Sequence, residues 1–297
     1  MEYNRKKVNI IIFVLIFLIS LVTIFATVNF VEENDVSQDI SVNAEGQQTE
    51  KTEDEQINEE TQETKLTKAP PFTTGWKALD YAYSVMEQND YVSTTSTIGK
   101  NDPILGIVVT QYANQKKYKS GDECFILDSA SSKSSEGTNF TRYTYSDSNN
   151  VTVQYAGRAA STISLTDYIT KFGFDPSGSY FKLDSTNSKM DSFKPYGASY
   201  ILKITVNPSV SGVFSNMEKS LLNTPKQIKN PHGISATFEI SINKNTGAFE
   251  YIKSTERYSL TANSSFGWQS STITTNSKTT FSWKTTNVSK LKEKYIG

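Results

Sequence analysis

The sequence predicts an α+β architecture: a single N-terminal transmembrane helix, a disordered linker, then a curved antiparallel β-sheet (a half-barrel) covered by about three helices. Three observations predict it. Residues 8–28 form an uncharged apolar run long enough to cross a bilayer. Residues 29–69 are acidic and poor in apolar side chains, which leaves too little surface to bury against the entropy of ordering. From Tyr91 onward the apolar pattern has period two, interrupted by segments of helical period.

The run 8–28 reads VNIIIFVLIFLISLVTIFATV, with Asn9, Ser20, Thr23 and Thr27 as its polar interruptions. A hydrocarbon core of roughly 30 Å needs about 20 helical residues. Arg5, Lys6 and Lys7 directly precede the run, so the positive-inside rule leaves residues 1–7 in the cytoplasm and sends the rest of the chain outside the cell membrane. A cleaved signal is the competing reading, but its apolar region is usually about 7–15 residues and ends at a small-x-small site. The best such site, Phe25-Ala26-Thr27-Val28, lacks one of the two small residues. The single cysteine, Cys124, lies far downstream, which leaves no lipid-anchoring cysteine after the run and no partner for an intramolecular disulfide.

The net charge of −1 hides an asymmetry. Residues 32–64 carry −11, residues 1–31 carry +2, and residues 65–297 carry +8. The linker 29–69 is therefore a self-repelling acidic stalk, closed by Ala69-Pro70-Pro71, and the extracytoplasmic domain 70–297 is mildly basic. A basic surface of this size attracts anionic headgroups or wall polymers, and it fits an ordinary solvated lysine surface equally well.

Within the domain, residues 74–90 place Trp76, Leu79, Tyr83 and Met86 on one helical face, capped by Thr73 or Thr74. Residues 91–98, 105–112, 116–127 and 139–145 read as strands, and Val151, Val153 and Tyr155 continue the alternation after a turn at 146–150. Ser164 and Asp167 form a capping box for a short helix bearing Leu165, Tyr168, Ile169 and Phe172. The polar stretch 174–195 holds one short strand, at 179–183. Tyr200, Leu202, Ile204 and Val206 then alternate up to Pro208. Val210, Val213, Phe214, Met217 and Leu221 mark a third amphipathic helix that ends at Pro225. Ile234, Ala236, Phe238, Ile240 and Ile242 form the strongest strand, joined by Asn243-Lys244-Asn245-Thr246-Gly247 to its partner at 248–252. Segments 257–262, 270–275 and 279–283 extend the meander to eight to ten strands, and 290–294 is a short basic tail.

Composition argues against catalysis. The single histidine, His232, sits in an Asn-Pro-His-Gly turn with nothing near it in sequence to tune it as a base. One histidine and one cysteine make no zinc site, and no phosphate-cradling glycine loop or nucleophile elbow occurs. Asp122, Glu123 and Asp184 fit solvated turns better than a carboxylate pair. No cofactor, metal or catalytic residue is expected. Scarce arginine and dispersed lysines exclude a nucleic-acid partner.

The order of elements resembles the lipoprotein-carrier superfamily of LolA-like and LppX-like half-barrels. Trp76–Asn89, Tyr200–Leu222 and Ile234–Lys253, with the segment FEISINKNTGAFEYI, carry the likeness, which spans about 72–285. The resemblance implies an apolar cavity for an acyl chain or another amphiphile. This chain departs from Gram-positive relatives in having a membrane span where they have an anchoring cysteine. A cleft between sheet and helices would be lined by Tyr200, Leu202, Ile204, Phe214, Met217, Phe238, Ile240 and Ile242, residues that serve equally well as dry core. The alternative is a non-catalytic scaffold subunit of an envelope or conjugation-type complex, with protein partners on the sheet. An open apolar lining favours the first reading, and large aromatics filling it favour the second.

Overall fold

The computed structural model describes residues 62–102, 110–132, 140–172, 174–178, 182–207, 228–264 and 267–297. The span 8–28, the linker up to residue 61, and the expected helix with Phe214 and Met217 lie outside the described residues. Among the described residues no helix is long and apolar enough to cross a membrane.

Among the described residues, contacts with the sheet begin before Pro70. Strand β1 (Gln62–Glu63) pairs antiparallel with β13 (Lys284–Thr285), and the Thr64 and Ala69 amides donate to the carbonyls of Trp283 and Asn245. Residues 62–69 thus strap one end of the sheet, ahead of the boundary expected at residue 70. Helix α1 (Gly75–Gln88) follows, with the Thr74 hydroxyl accepting from the Lys77 amide, and buries Ala78, Leu79, Ala82, Tyr83 and Met86. The meander then runs through β2 (Tyr91–Asn101), β3 (Thr110–Ser120), β4 (Glu123–Ser132), β5 (Phe140–Ser146), β6 (Asn150–Tyr155) and β7 (Ser161–Ser164) into α2 (Leu165–Phe172). The capping box forms as the sequence predicts: Ser164 Oγ accepts from the Asp167 amide and donates to its carboxylate. The second meander is β8 (Ser188–Tyr196), β9 (Ser199–Val206), β10 (Ile228–Asn243), β11 (Phe249–Ser264) and β12 (Gly267–Ser282), followed by α3 (Val288–Tyr295).

Described strands give one curved, unclosed antiparallel sheet of eleven, in the order β7-β6-β5-β4-β3-β2-β12-β11-β10-β9-β8. The two meanders join where β2 pairs with β12, so strands consecutive in sequence, β7 and β8, form opposite edges. Their connection crosses one face of the sheet. Along it, Pro176 O accepts from the Cys124 thiol, Gly178 O from Lys117 Nζ at 2.6 Å, and the Leu183 amide donates to the Tyr83 hydroxyl. Both α1 and α2 lie on this inner face, α1 over Leu202, Ile240 and Phe249 and α2 over Val151 and Val153. Helix α3 packs on the opposite face, against Val92, Tyr118 and Phe125.

Several expectations need correction. Among the described residues the sheet has eleven strands, where eight to ten were predicted. The run 116–127 is not one strand but a hairpin: Gly121, at φ +56°, turns the chain between β3 and β4. Strand β8 hides in a segment that reads as polar loop, because an edge strand is half exposed and Pro195 leaves no missing ladder bond there. His232 lies in β10 beside two register shifts, not in a free turn, with Asn230 in the left-handed region absorbing the irregularity. The basic tail is helical because Asn287 caps it, accepting from the Lys290 amide, and because Val288 and Leu291 find an apolar surface.

The hairpin at 243–247 holds as predicted. Gly247 adopts φ +67°, and a side chain there would overlap the Tyr81 ring of α1, so both backbone and packing demand glycine.

Candidate functional site

Residues directly opposite one another across neighbouring strands share a face. Following the register from β6 to β8 gives one continuous inner row: Tyr155, Arg142, Asp128, Gln115, Thr95, Thr279, Ile252, Ile240, Leu202 and Phe193. The row is polar across β6–β12 and apolar across β11–β8. One enclosed face thus carries an amphiphilic gradient.

Most of the polar half is a chain of hydrogen-bonded pairs. Gln115 Nε2 donates to Asp128 Oδ1 at 2.9 Å, while Asp128 Oδ2 accepts from Arg142 Nε at 3.1 Å and from Nη2 at 2.6 Å. The Asp128 and Arg142 side chains are 0% and 4% exposed, so this ion pair is fully desolvated. The Thr95 and Thr279 hydroxyls lie 2.8 Å apart, and those of Thr97 and Ser277, one row along, 2.9 Å apart. Next to them Glu256 is buried, accepting from Ser254 Oγ at 2.6 Å and from the Tyr258 hydroxyl. Burial pushes its carboxyl up to about 7, against the opposing pull of the Ser254 hydrogen bond. Polar groups buried this way are costly unless paired, so their presence marks an inner face that is not simply dry core.

The expected ligand residues fall in the apolar half. Leu202, Ile204, Ile240 and Ile242 are wholly buried and Phe238 nearly so, all in the cluster that includes Ala78, Leu79, Ala82 and Tyr83 of α1. Tyr200 stacks on Phe193 and meets the edge of Phe72. Large rings fill this end: Tyr83 against Phe249, and Tyr91 against both Phe281 and Trp283. The six described residues are therefore brought together, under a helix. Phe214 and Met217 lie outside the described residues.

Other residues singled out by sequence have structural partners. Glu123 accepts from the Tyr145 hydroxyl and from Ser289 of α3. Asp184 caps the turn before β8, accepting from the Thr186 hydroxyl and from the Thr186 and Asn187 amides, and these bonds, the hydroxyl's first, hold its carboxyl below the usual range. Burial pushes the Cys124 thiol up to about 11, far from a reactive thiolate. Among the described residues no group of three or more His, Cys, Asp or Glu side chains converges to hold a metal.

Sequence reasoning missed the polar row. Its signal is a charged residue at an inward position of an alternating strand: Asp128 continues the face of Cys124 and Ile126, and Glu256 that of Tyr258 and Leu260.

An open antiparallel half-barrel with an amphiphilic inner face is the class that fold and site define. No protein-family model and no curated protein sequence matches the chain. Among solved structures it is similar to a LolA superfamily protein from Nitrosomonas europaea, at 8% identity and a TM-score of 0.27, over 73% of this chain and 94% of that one. It is also similar to a DUF1329 family protein from Desulfovibrio piger, at 10% identity and a TM-score of 0.30, over 74% of this chain and 96% of that one. With TM-scores this low neither structure defines a family for this chain, and neither bears on its ligand.

Proposed function

We propose that the chain is a membrane-tethered, extracytoplasmic, non-catalytic binding module whose half-barrel holds a lipid or another amphiphile. The observation that supports this is the inner row, which passes from Arg142, Asp128, Gln115 and paired threonines to Ile252, Ile240, Leu202 and Phe193 on one face. A ligand with a polar and an apolar end matches both halves of such a face. The apolar run 8–28, with its flanking Arg5, Lys6 and Lys7, supports the tether and its orientation. A bound amphiphile stays within reach of the stalk, so the module acts at the membrane from which it hangs.

The test keeps the full chain in its cells. Wall-stripped cells are fed a clickable photoreactive monoacylglycerol, irradiated and treated with external protease. The expected result is a lipid-labelled fragment released from beyond residue 28, with label mapping to the inner strands. Label confined to the fragment containing 8–28, or a domain protected from external protease, overturns the reading.

A second reading, the non-catalytic scaffold subunit, is favoured by one observation: α1 and large aromatic rings fill the apolar half. Release of an unlabelled domain by protease is the outcome it expects.

A further inference from the structure

Five side-chain atoms on β5 and β6 are buried and have no hydrogen-bond partner among the described residues, and three of them, Arg142 Nη1, Thr144 Oγ1 and Tyr155 OH, stand at the polar end of the inner row, with Ser146 Oγ further along β5 and Gln154 Oε1 on the other face of β6. Arg142 and Tyr155 are directly opposed across β5 and β6, and Thr144 is the next residue of β5 on the same face. Opposed residues place their Cβ atoms about 5 Å apart, so these side chains start from adjacent positions on one face. The Arg142 side chain is 4% exposed and Thr144 is 2% exposed. Leaving a buried donor unmade is costly, and three in one place is unusual for a site with no further purpose.

We infer that Arg142, Thr144 and Tyr155 form the head-group site of the half-barrel and take an uncharged, oxygen-bearing group, such as the ester carbonyl and hydroxyls of an acylglycerol. This inference rests on the amphiphile reading above and adds the position and chemistry of the polar end. Charge decides the class. Asp128 already matches the guanidinium through Nε and Nη2, so the buried set is neutral overall. A carboxylate or phosphate placed there would bring a second negative charge beside Asp128, where the nearby cations are Arg158, solvent-exposed and 6.0 Å from the Tyr155 ring centre, and Lys117, already donating to Gly178 O. An uncharged acceptor takes the free Nη1 N–H groups, while the two hydroxyls donate or accept as the ligand requires.

The experiment compares two photoreactive probes on the full chain in its membrane: a clickable monoacylglycerol with its diazirine near the ester, and the free fatty acid with the diazirine at the same carbon. The monoacylglycerol is expected to label β5 and β6 peptides several-fold more than the acid. Thr144→Val with Tyr155→Phe should cut that labelling about tenfold, two hydrogen bonds' worth. The same double variant should melt at or above the wild-type temperature, because it removes hydroxyls that lack partners in the free protein. Three outcomes overturn the inference while leaving the amphiphile reading in place. These are labelling of the inner face that the double variant does not change, equal labelling of β5 and β6 by the acid, and a melting point lowered by several degrees with labelling intact, which would assign the hydroxyls to an internal water. Absence of any label in the domain overturns both.

Discussion

The two halves of the sheet's inner face achieve burial by different physics. Across β8–β11, Leu202, Ile204, Ile240 and Ile242 lose all exposure beneath α1, and their contribution scales with apolar area at roughly 25 cal/mol per Å². Across β2–β5, burial is equally deep at Asp128, Arg142 and Thr144, but stability there depends on whether each polar atom has its partner. The apolar half tolerates imperfect fit by degrees. A polar half fails as soon as one member of a pair is missing, because the other stays buried and unmatched. This contrast separates the part of the domain held by apolar area from the part in which each buried polar atom must be matched.

The largest expected effect breaks a pair in the polar half. Arg142→Met should destabilise the domain by about 3–5 kcal/mol in denaturant unfolding, since it leaves the Asp128 carboxylate buried beside Gln115 alone. Adding Asp128→Leu should restore most of that loss. Ile240→Ala in the apolar half should cost about 2–5 kcal/mol, with no second substitution of a polar neighbour that rescues it. A double variant as unstable as Arg142→Met alone would erase the distinction between the halves.

Glu256, at the seam between the halves, should make stability depend on pH. Its folded carboxyl is raised from 4.5 to about 7 by burial, so between those values the folded state binds the proton and the unfolded state does not. The sign is therefore the reverse of the usual acidic residue. The stabilisation is fully present below the unfolded value and is lost as pH rises through the folded one, up to about 3 kcal/mol in all. Glu256→Gln should flatten this dependence and be the more stable protein under alkaline conditions. A wild type whose melting point climbs through the same interval, with the variant following it, would show that the carboxyl is not held in a desolvated place.

The smallest expected effect sharpens the rule of pairs. Thr279→Val should cost about 1 kcal/mol by stranding the Thr95 hydroxyl, whereas Thr95→Val with Thr279→Val should lie within a few tenths of wild type. Equal losses in the single and double variants would mean that the two hydroxyls do not depend on each other.

Much of this architecture is legible in single segments. The face of α1, the capping box at Ser164, the alternation of β9 and β10 and the turn ending at Gly247 all follow from spacing and residue type, because each depends on neighbours within a few residues. The missed elements are those whose cause lies elsewhere in the chain. Strand β8 forms only because β9 offers it an edge, and α3 is helical partly because Val92, Tyr118 and Phe125 give it a surface to bury against. The candidate site divides the same way. The aliphatic residues of β9 and β10 announce an inward face by alternation, but nothing local shows that α1 covers them.

By itself, the sequence determined the α+β class, the acidic stretch ahead of the domain, the helix faces and which residues of each strand point the same way, since period and charge are properties of a single segment. Only the tertiary structure decided which strands lie side by side and which of the two faces is enclosed. Gln115, Asp128 and Arg142 come from three strands, successive members lying 13 and 14 positions apart, and only the antiparallel register puts them in one row with Thr95 and Thr279 from opposite ends of the domain. Pairing across a sheet is non-local, and its register is set by the whole set of side chains that must be buried or matched together.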